Sequence, residues 1–176
     1  MISASRLLIE RAKFAPRVTV SAGVFAIKGK GRLHIVQEKS KVNADDNVNE
    51  LLPKFMDNCH HLLGQHFIFP QDGAPAYAAK PTQQWLAAYC PDFFDKDAWP
   101  PNSPDLNPLD YHVCGWMLDK FNRLNPQPKN IPELKTALLM IWDELPQEAI
   151  RKSIVSFRKR LRACINAKGE HFEYKL

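Results

Sequence analysis

WPPNSPDLNPLDY, residues 99–111, sets four prolines among two aspartates and two asparagines. Each proline fixes φ and removes a backbone N–H donor, and the residue before each proline is driven toward an extended conformation. The stretch therefore predicts a stiff loop as far as about Asn107, followed by a helix. With Asn107 as the N-cap, Pro108 is the first helical residue and Asp110 the third, where free N–H groups and the helix dipole stabilise a carboxylate.

A second acid lies upstream, where the apolar run 66–69 ends in Pro70-Gln71-Asp72-Gly73. An Asp-Gly pair is common in turns, but ligands also gather at the carboxyl ends of strands in open α/β sheets. Taken together, Asp72 and Asp110 predict a divalent-metal site, because Mg²⁺ needs oxygen ligands in tight geometry. A plain turn role for Asp72 and a plain capping role for Asp110 stay open as alternatives.

Strand and helix patterns alternate along the rest of the chain. The predicted strands cover residues 18–25, 32–37, 66–69 and 93–94, and the predicted helices cover residues 45–63, 82–89 and 111–121, with two more beginning at about residues 130 and 146. The first two strands are expected to form a hairpin through a KGKG turn at residues 28–31. This order of elements predicts an α/β domain with a mixed sheet.

The net charge of +5 lies entirely in residues 146–176, which hold eight Lys or Arg and three Asp or Glu. The last predicted helix carries an apolar stripe made of Ile150, Ile154, Phe157, Leu161 and Cys164. Its candidate nucleic-acid-binding residues are Arg151, Lys152, Arg158, Lys159 and Arg162. A basic segment beside a neutral body predicts an anionic partner, nucleic acid first, and a solvated helix face is the alternative.

Length and composition suit one domain with its own core, since the chain has 176 residues of which 45% are hydrophobic. No run of 18 apolar residues occurs, so no membrane-spanning helix is expected. The four cysteines form no CxxC pair, which favours reduced intracellular thiols. A zinc site at Cys59, His60 and His61 stays open, although adjacent residues seldom converge on one metal and a second ligand pair is missing.

Two long motifs carry a resemblance to a known family. FIFPQDGAPAYAAKPTQQWL, residues 67–86, and WPPNSPDLNPLDYHV, residues 99–113, closely resemble the catalytic core of mariner-superfamily transposases. The resemblance runs from about Val18 to Tyr174, and 37 residues separate the two aspartates, as in one lineage of that family. By position, Asp72 resembles the second catalytic acid of the family and Asp110 the third.

The resemblance implies a ribonuclease H-like fold, with a mixed sheet flanked by helices and extra C-terminal helices. It also implies metal-dependent cleavage of DNA and joining of its 3′-hydroxyl to target DNA. Mg²⁺ or Mn²⁺ held by Asp72 and Asp110, a DNA partner, a homodimer and residence in the nucleus follow from the same resemblance. Residues 18–125 are then expected to form a partial ribonuclease H-like domain, residues 126–176 its C-terminal helical part, and residues 1–17 a divergent N-terminal segment.

The sequence also departs from the family. The family's first catalytic aspartate lies on a strand before the hairpin, whereas the only acid upstream of Val18 here is Glu10, in a different context. We therefore expect the first central strand to be lacking, with residues 4–10 either filling the gap or forming a helix. The other departures are Tyr77 in place of a usual His, Ser21 and Cys114 in place of usual Trp residues, and the absence of the family's N-terminal helix-turn-helix region.

Three hypotheses follow, and whether the chain is an enzyme stays open among them. The first is a transposase-derived DNA-processing domain that is catalytically incomplete because one of three acids is missing. The second is a remnant that binds nucleic acid without cutting it. The third is a decayed fragment without function.

Overall fold

A computed structural model of the chain describes residues 18–26, 29–36, 45, 47–100, 103–168 and 170–172. The strands are β1 Val20–Ser21, β2 Val24–Phe25, β3 Gly29–Lys30 and β4 His34–Ile35, and the α-helices are α1 Leu52–Leu63, α2 Pro75–Ala78, α3 Lys80–Tyr89, α4 Cys114–Asn122, α5 Ile131–Glu144 and α6 Gln147–Asn166. π-Helical turns, Asn47–Leu51 and Leu109–Val113, precede α1 and α4, and a 3₁₀ turn covers Pro104–Leu106. Among the described helices, none combines the length and the apolar character that crossing a membrane requires.

The predicted hairpin is confirmed, because β1 pairs antiparallel with β4 and β2 pairs antiparallel with β3. Ser21 pairs with His34 and Val24 pairs with Lys30, so the two residues between these pairs on the first arm face three on the second and form a β-bulge. The predicted position of the turn is wrong. Gly29 lies in β3 with φ +98°, a conformation that suits a residue without Cβ, and the chain reverses before it.

The predicted strands 66–69 and 93–94 meet in one parallel bridge, between Phe69 and Phe93. The Phe69 N–H donates to the Asp92 carbonyl at 2.8 Å, and the Phe94 N–H donates to the Phe69 carbonyl at 3.2 Å. Parallel and antiparallel pairing are thus both present, as predicted. Within the described residues, however, the parallel pairing is limited to this one bridge, and the antiparallel pairs form two separate two-stranded sheets. The predicted loss of the first central strand, and the fate of residues 4–10, lie outside the described residues.

Helix α1 lies between the hairpin and the bridge. Its apolar residues recur at helical spacing, Leu52 and Phe55 are buried, and the Phe55 ring lies 5.0 Å from the His34 ring and 6.4 Å from the Phe69 ring. Pro53 lies in the first turn of α1, directly after the π-helical turn. The prediction of a helix over residues 45–63 is therefore confirmed, with a π-helical turn at its start.

The other helix predictions differ from the structure mainly at their ends. Helix α3 begins at Lys80 rather than Thr82, with Pro81 in its first turn as expected. The helical segment that leads into α4 begins at Pro108, which agrees with the predicted cap at Asn107. The four-residue α2 was not predicted, since four residues are too few to show a helical period.

Trp142 of α5 anchors the C-terminal helices to the hairpin. Its side chain is buried in a cluster with Leu33, Val113 and Ile150. Its Nε1 donates a hydrogen bond to the Gly31 carbonyl at 3.0 Å. The indole thus contributes apolar area and still satisfies its one polar group.

Lys30 of β3 makes a second connection to α5. Its Nζ donates to the carbonyl oxygens of Trp142, of Asp143 at 2.6 Å and of Leu145 at 3.2 Å. These carbonyls belong to the C-terminal end of the helix, where a cation is stabilised by the helix dipole. Burial lowers the pKa of Lys30, and the charge of Asp143 opposes that change.

The predicted start of α5 is confirmed down to its hydrogen bonds. The Glu133 N–H donates to Asn130 Oδ1 at 2.9 Å, and the Lys129 N–H donates to Glu133 Oε2 at 2.8 Å. Pro132 lies in the first turn. The arrangement is a capping box, in which the cap residue and the third helical residue satisfy donors around the helix start reciprocally.

Candidate active site

Asp72 lies in the loop between the Phe69–Phe93 bridge and α2. Its Oδ1 accepts a hydrogen bond from the Ala74 N–H at 3.1 Å, so the turn role left open by the sequence is present. Gln71 beside it is buried, whereas Asp72 is exposed. The turn therefore holds the carboxylate at the surface, and one oxygen has no hydrogen bond to the described residues.

Asp110 lies in the first turn of the helical segment that leads into α4. Asn107 starts this segment, since its Oδ1 accepts from the Leu109 N–H at 3.0 Å and its carbonyl accepts from the Asp110 N–H at 2.9 Å and the Tyr111 N–H at 3.1 Å. The prediction of Asn107 as the cap, with Pro108 next, is confirmed. The Asp110 carboxyl in turn forms a hydrogen bond with the Asn107 side chain, so the capping role left open by the sequence is not excluded.

The two acids lie close enough for their charges to interact. Partial burial raises the pKa of the Asp110 carboxyl above its ordinary value, the negative charge of Asp72 raises it further, and a hydrogen bond with Asn107 opposes both. The structure thus brings together the two acids that the sequence paired. Their exposed carboxylate oxygens are a donor set that suits Mg²⁺, which is commonly held by one or two carboxylates with water completing its shell.

A larger cluster of metal-binding side chains is not found. Within the described ranges, no group of three or more His, Cys, Asp or Glu is placed to hold a metal ion. The zinc alternative at Cys59, His60 and His61 therefore lacks structural support. Burial of Cys59 in α1 raises the pKa of its thiol to about 12, which disfavours the thiolate that zinc requires, while His61 is exposed.

All five predicted nucleic-acid-binding residues are exposed on α6, but they fall into two groups. Arg151 lies 2.8 Å and Lys152 lies 3.8 Å from a carboxylate oxygen of Glu148, which neutralises part of their charge. The side chains of the other three, Arg158, Lys159 and Arg162, form neither an ion pair nor a hydrogen bond within the described part of the chain. The second half of α6 therefore offers the cations that are ready to meet an anion.

Comparisons with known proteins find similarity to transposases. No protein-family model matches it. The transposable element Tc3 transposase of Caenorhabditis elegans is 25% identical over 168 residues, and the Tcb2 transposase of Caenorhabditis briggsae is 28% identical over 119 residues. Its homologues are Tc1/mariner transposases. The alignments cover 96% and 64% of this chain but 49% and 39% of those proteins, so the chain spans about half their length or less.

Solved structures of Mos1 transposase share the fold. The Mos1 paired-end complex with the left transposon end has a TM-score of 0.80 at 18% identity, over 94% of this chain and 48% of that chain. The catalytic domain of Mos1 mariner transposase has a TM-score of 0.70 at 20% identity, over 89% and 83% of the two chains. The chain is thus a mixed α/β domain with the fold of the Mos1 catalytic domain, consistent with a ribonuclease H-like fold.

The departures from the mariner motifs lie beside the two acids. The Tyr77 side chain forms a hydrogen bond with Ser21. Burial raises the pKa of the Tyr77 hydroxyl, the bond with Ser21 opposes this, and the charge of Asp72 adds to the increase. Burial and the charge of Asp110 likewise raise the pKa of the Cys114 thiol. Tyr77 and Cys114, two of the positions at which the sequence is expected to depart from the mariner motifs, are thus within electrostatic reach of the two acids.

Sequence reasoning missed Arg160 and assigned Tyr111 only to an apolar stripe. Arg160 Nη1 donates to the Asp105 carbonyl at 2.9 Å, and the Tyr111 hydroxyl donates to the Ser153 carbonyl at 2.6 Å. Helical spacing gives no signal for Arg160, because Arg158 lies equally close to the apolar stripe on its other flank; the two differ in their partners. The partner of Arg160, Asp105, is 55 positions away, and sequence spacing gives no hint of it.

Proposed function

We propose that this chain is a transposase-derived DNA-processing domain in which the catalytic residues Asp72 and Asp110 hold Mg²⁺ or Mn²⁺. The observation that carries the proposal is the interaction between the two carboxylates, since the charge of Asp72 contributes to the raised pKa of Asp110. The fold shared with the Mos1 catalytic domain, which has been solved with Mn and with Mg, supports the same assignment.

In this proposal the protein positions its acids through rigid local structure. The Ala74 N–H holds Asp72, and the Asn107 cap holds the turn that carries Asp110. Divalent ions bound there would polarise the phosphodiester and stabilise the negative charge that develops as a DNA strand is cut or joined. Because only two of the family's three acids are assigned, we expect catalysis by this chain alone to be weak or absent.

The proposal requires DNA as a partner, and we assign its binding surface to the exposed face of α6. Arg158, Lys159 and Arg162 can contact phosphates there without first breaking an ion pair, whereas Arg151 and Lys152 must leave Glu148. The Mos1 paired-end complex with its transposon end supports DNA binding by this fold. Because its substrate would be chromosomal DNA, we also propose that the chain acts in the nucleus. We further propose that it acts as a homodimer.

A second candidate function is binding of nucleic acid without cleavage. The cations of α6 favour it, because they need no metal ion to hold a phosphate backbone. It uses the same DNA-binding surface on α6 as the first proposal but assigns no role to Asp72 and Asp110. The two proposals therefore differ in whether these acids bind metal.

Thermal unfolding with and without Mn²⁺ separates the two functions. The samples are the unmutated chain, Asp72→Asn, Asp110→Asn and the control Asp57→Asn, which changes an exposed acid on α1. We expect Mn²⁺ to raise the Tm of the unmutated chain and the control, since a ligand that binds only the folded state stabilises it. Neither site variant should respond. A Mn²⁺ shift retained in both would place the ion elsewhere, and DNA binding with no Mn²⁺ shift would favour the second function.

A further inference from the structure

Helix α6 contacts both flanks of Asp110 through one side chain. The Arg160 guanidinium donates from Nη1 to the Asp105 carbonyl at 2.9 Å, and its Cζ lies 4.0 Å from the centre of the Tyr111 ring. Asp105 precedes Asp110 in the loop, and Tyr111 follows it directly. One planar group therefore fixes the chain before and after the acid at the same time.

Tyr111 is held at a second point, at the far end of its ring. Its hydroxyl donates to the Ser153 carbonyl at 2.6 Å and accepts from Ser156 Oγ at 3.4 Å. The hydroxyl is thus held by two residues of α6, Ser153 and Ser156. The ring face is stacked on Arg160 and the hydroxyl is bonded to α6, so the ring cannot move freely. The position of the preceding residue, Asp110, is restricted with it.

The loop before Asp110 also packs on α6. Leu106, in the 3₁₀ turn with Asp105, is 1% exposed and lies in a cluster with Phe157 and Leu161 of that helix. Moving this turn relative to α6 would open the cluster and expose apolar surface to water. The Asp105 carbonyl is therefore a fixed acceptor, and Arg160 connects one fixed point to another.

We infer that Arg160 is a positioning residue that, together with Tyr111, sets the direction in which Asp110 presents its carboxylate. A guanidinium suits this role because it donates in a fixed plane and stacks on an aromatic ring, whereas a lysine ammonium is a point charge. Arg160 is partly buried, unlike the exposed cations of the proposed DNA-binding surface. The inference deepens the proposed function, on which the role of Asp110 rests, but it concerns only how that residue is held.

Amide hydrogen exchange tests the inference without any metal. The variants are Arg160→Ala and the milder Arg160→Lys, with Arg123→Ala as a matched control, because that exposed arginine of α4 pairs only locally, with Asp119 at 2.9 Å. We expect exchange of the Asp110 and Tyr111 N–H groups to speed up about ten-fold in Arg160→Ala, as expected for loss of a hydrogen bond from a charged group. Arg160→Lys should fall between, and exchange in α1 and α3 should not change.

A Mn²⁺ titration of the same variants adds the second readout. We expect Arg160→Ala to weaken Mn²⁺ binding by about ten-fold, as loss of a residue that orients a ligand does, with the control unchanged. Unchanged exchange at Asp110 in a folded Arg160→Ala chain overturns the inference, and so does faster exchange with full Mn²⁺ affinity. Faster exchange throughout the molecule would indicate a general stabilising role and also contradict it. If the unmutated chain binds no Mn²⁺, the proposed function fails, and exchange alone decides the inference.

Discussion

Lys30 connects the hairpin to a helix end that follows it by more than a hundred positions. Replacing it with methionine keeps the aliphatic stem and removes three hydrogen bonds to the carbonyls that end α5. We expect Lys30→Met to lower the free energy of unfolding by about 1–3 kcal/mol, because partly buried acceptors lose their charged donor. Urea unfolding followed by circular dichroism measures this loss.

Lys54→Met is the matched control for that substitution. Lys54 is exposed on α1, and its ammonium lies 3.8 Å from the Glu50 carboxylate, a surface pair one helical turn away. Such pairs contribute about 0.5 kcal/mol or less. Equal losses in the two variants would mean that the contacts of Lys30 with α5 contribute nothing beyond an ordinary surface charge.

Residues with local partners were within reach of the sequence, and residues with distant partners were not. Asn107 was identified as a cap, and the start of α5 was placed at about residue 130, because a cap bonds N–H groups two or three positions away. The pairing of Arg151 with Glu148 follows the same short-range rule and was overlooked. Arg160 and Lys30 act on partners far along the chain, where no periodicity relates donor and acceptor.

At the scale of single elements, the capping box of α5 gives a prediction for helix stability. Asn130→Ala removes the side-chain oxygen that accepts from the Glu133 N–H. We expect a loss of about 1 kcal/mol in the free energy of unfolding, the usual cost of removing such a cap. Asn166→Ala, at the exposed end of α6, is the control and should not destabilise the chain, so a similar loss there would contradict the assignment.

Helix α6 gives a prediction for nucleic-acid binding. Two double variants each remove two positive charges: Arg158→Ala with Arg162→Ala, and Arg151→Ala with Lys152→Ala. Because Arg151 and Lys152 already face Glu148, we expect only the first to weaken DNA binding strongly. It should also reduce the slope of log affinity against log salt by about two, since each lost phosphate contact releases about one counterion fewer.

Fluorescence anisotropy with a labelled DNA duplex at several salt concentrations measures both the affinity and the slope. The two double variants have the same net charge, so non-specific attraction is matched between them. Equal effects of the two double variants would mean that overall charge, rather than the second half of α6, governs DNA binding. If neither double variant changes the slope of log affinity against log salt, α6 is not the DNA-binding surface.

Strands were predicted less well than helices, for a physical reason. A helix satisfies its backbone within one segment, so the stripe and the start of α6 could be derived from local spacing. A strand needs a partner, and the apolar run 66–69 pairs only at Phe69. The bulge between β3 and β4 and the position of the turn also depend on pairing, so the sequence did not predict the bulge and placed the turn too late.

Across the whole molecule, the motifs identified the fold and the pair of acids, while packing determined how they are arranged. The fold of the Mos1 catalytic domain was expected from the resemblance and is confirmed. The boundaries at residues 17 and 125, the significance of the 37-residue spacing and the catalytic incompleteness stay predictions. The electrostatic influence of Asp72 on Asp110 required coordinates, because it depends on how far apart folding places the Asp72 turn and the Asn107 turn.

The support of Asp110 by Arg160 has a consequence for the order of synthesis. A ribosome releases the chain from its N-terminus, so both carboxylates emerge before α6 has been made. At that stage the Asp105 carbonyl and the Tyr111 ring lack the guanidinium that later joins them. A nascent chain that stalled before residue 160 would carry both acids but hold one of them loosely, so alignment of the pair has to wait for the synthesis of α6.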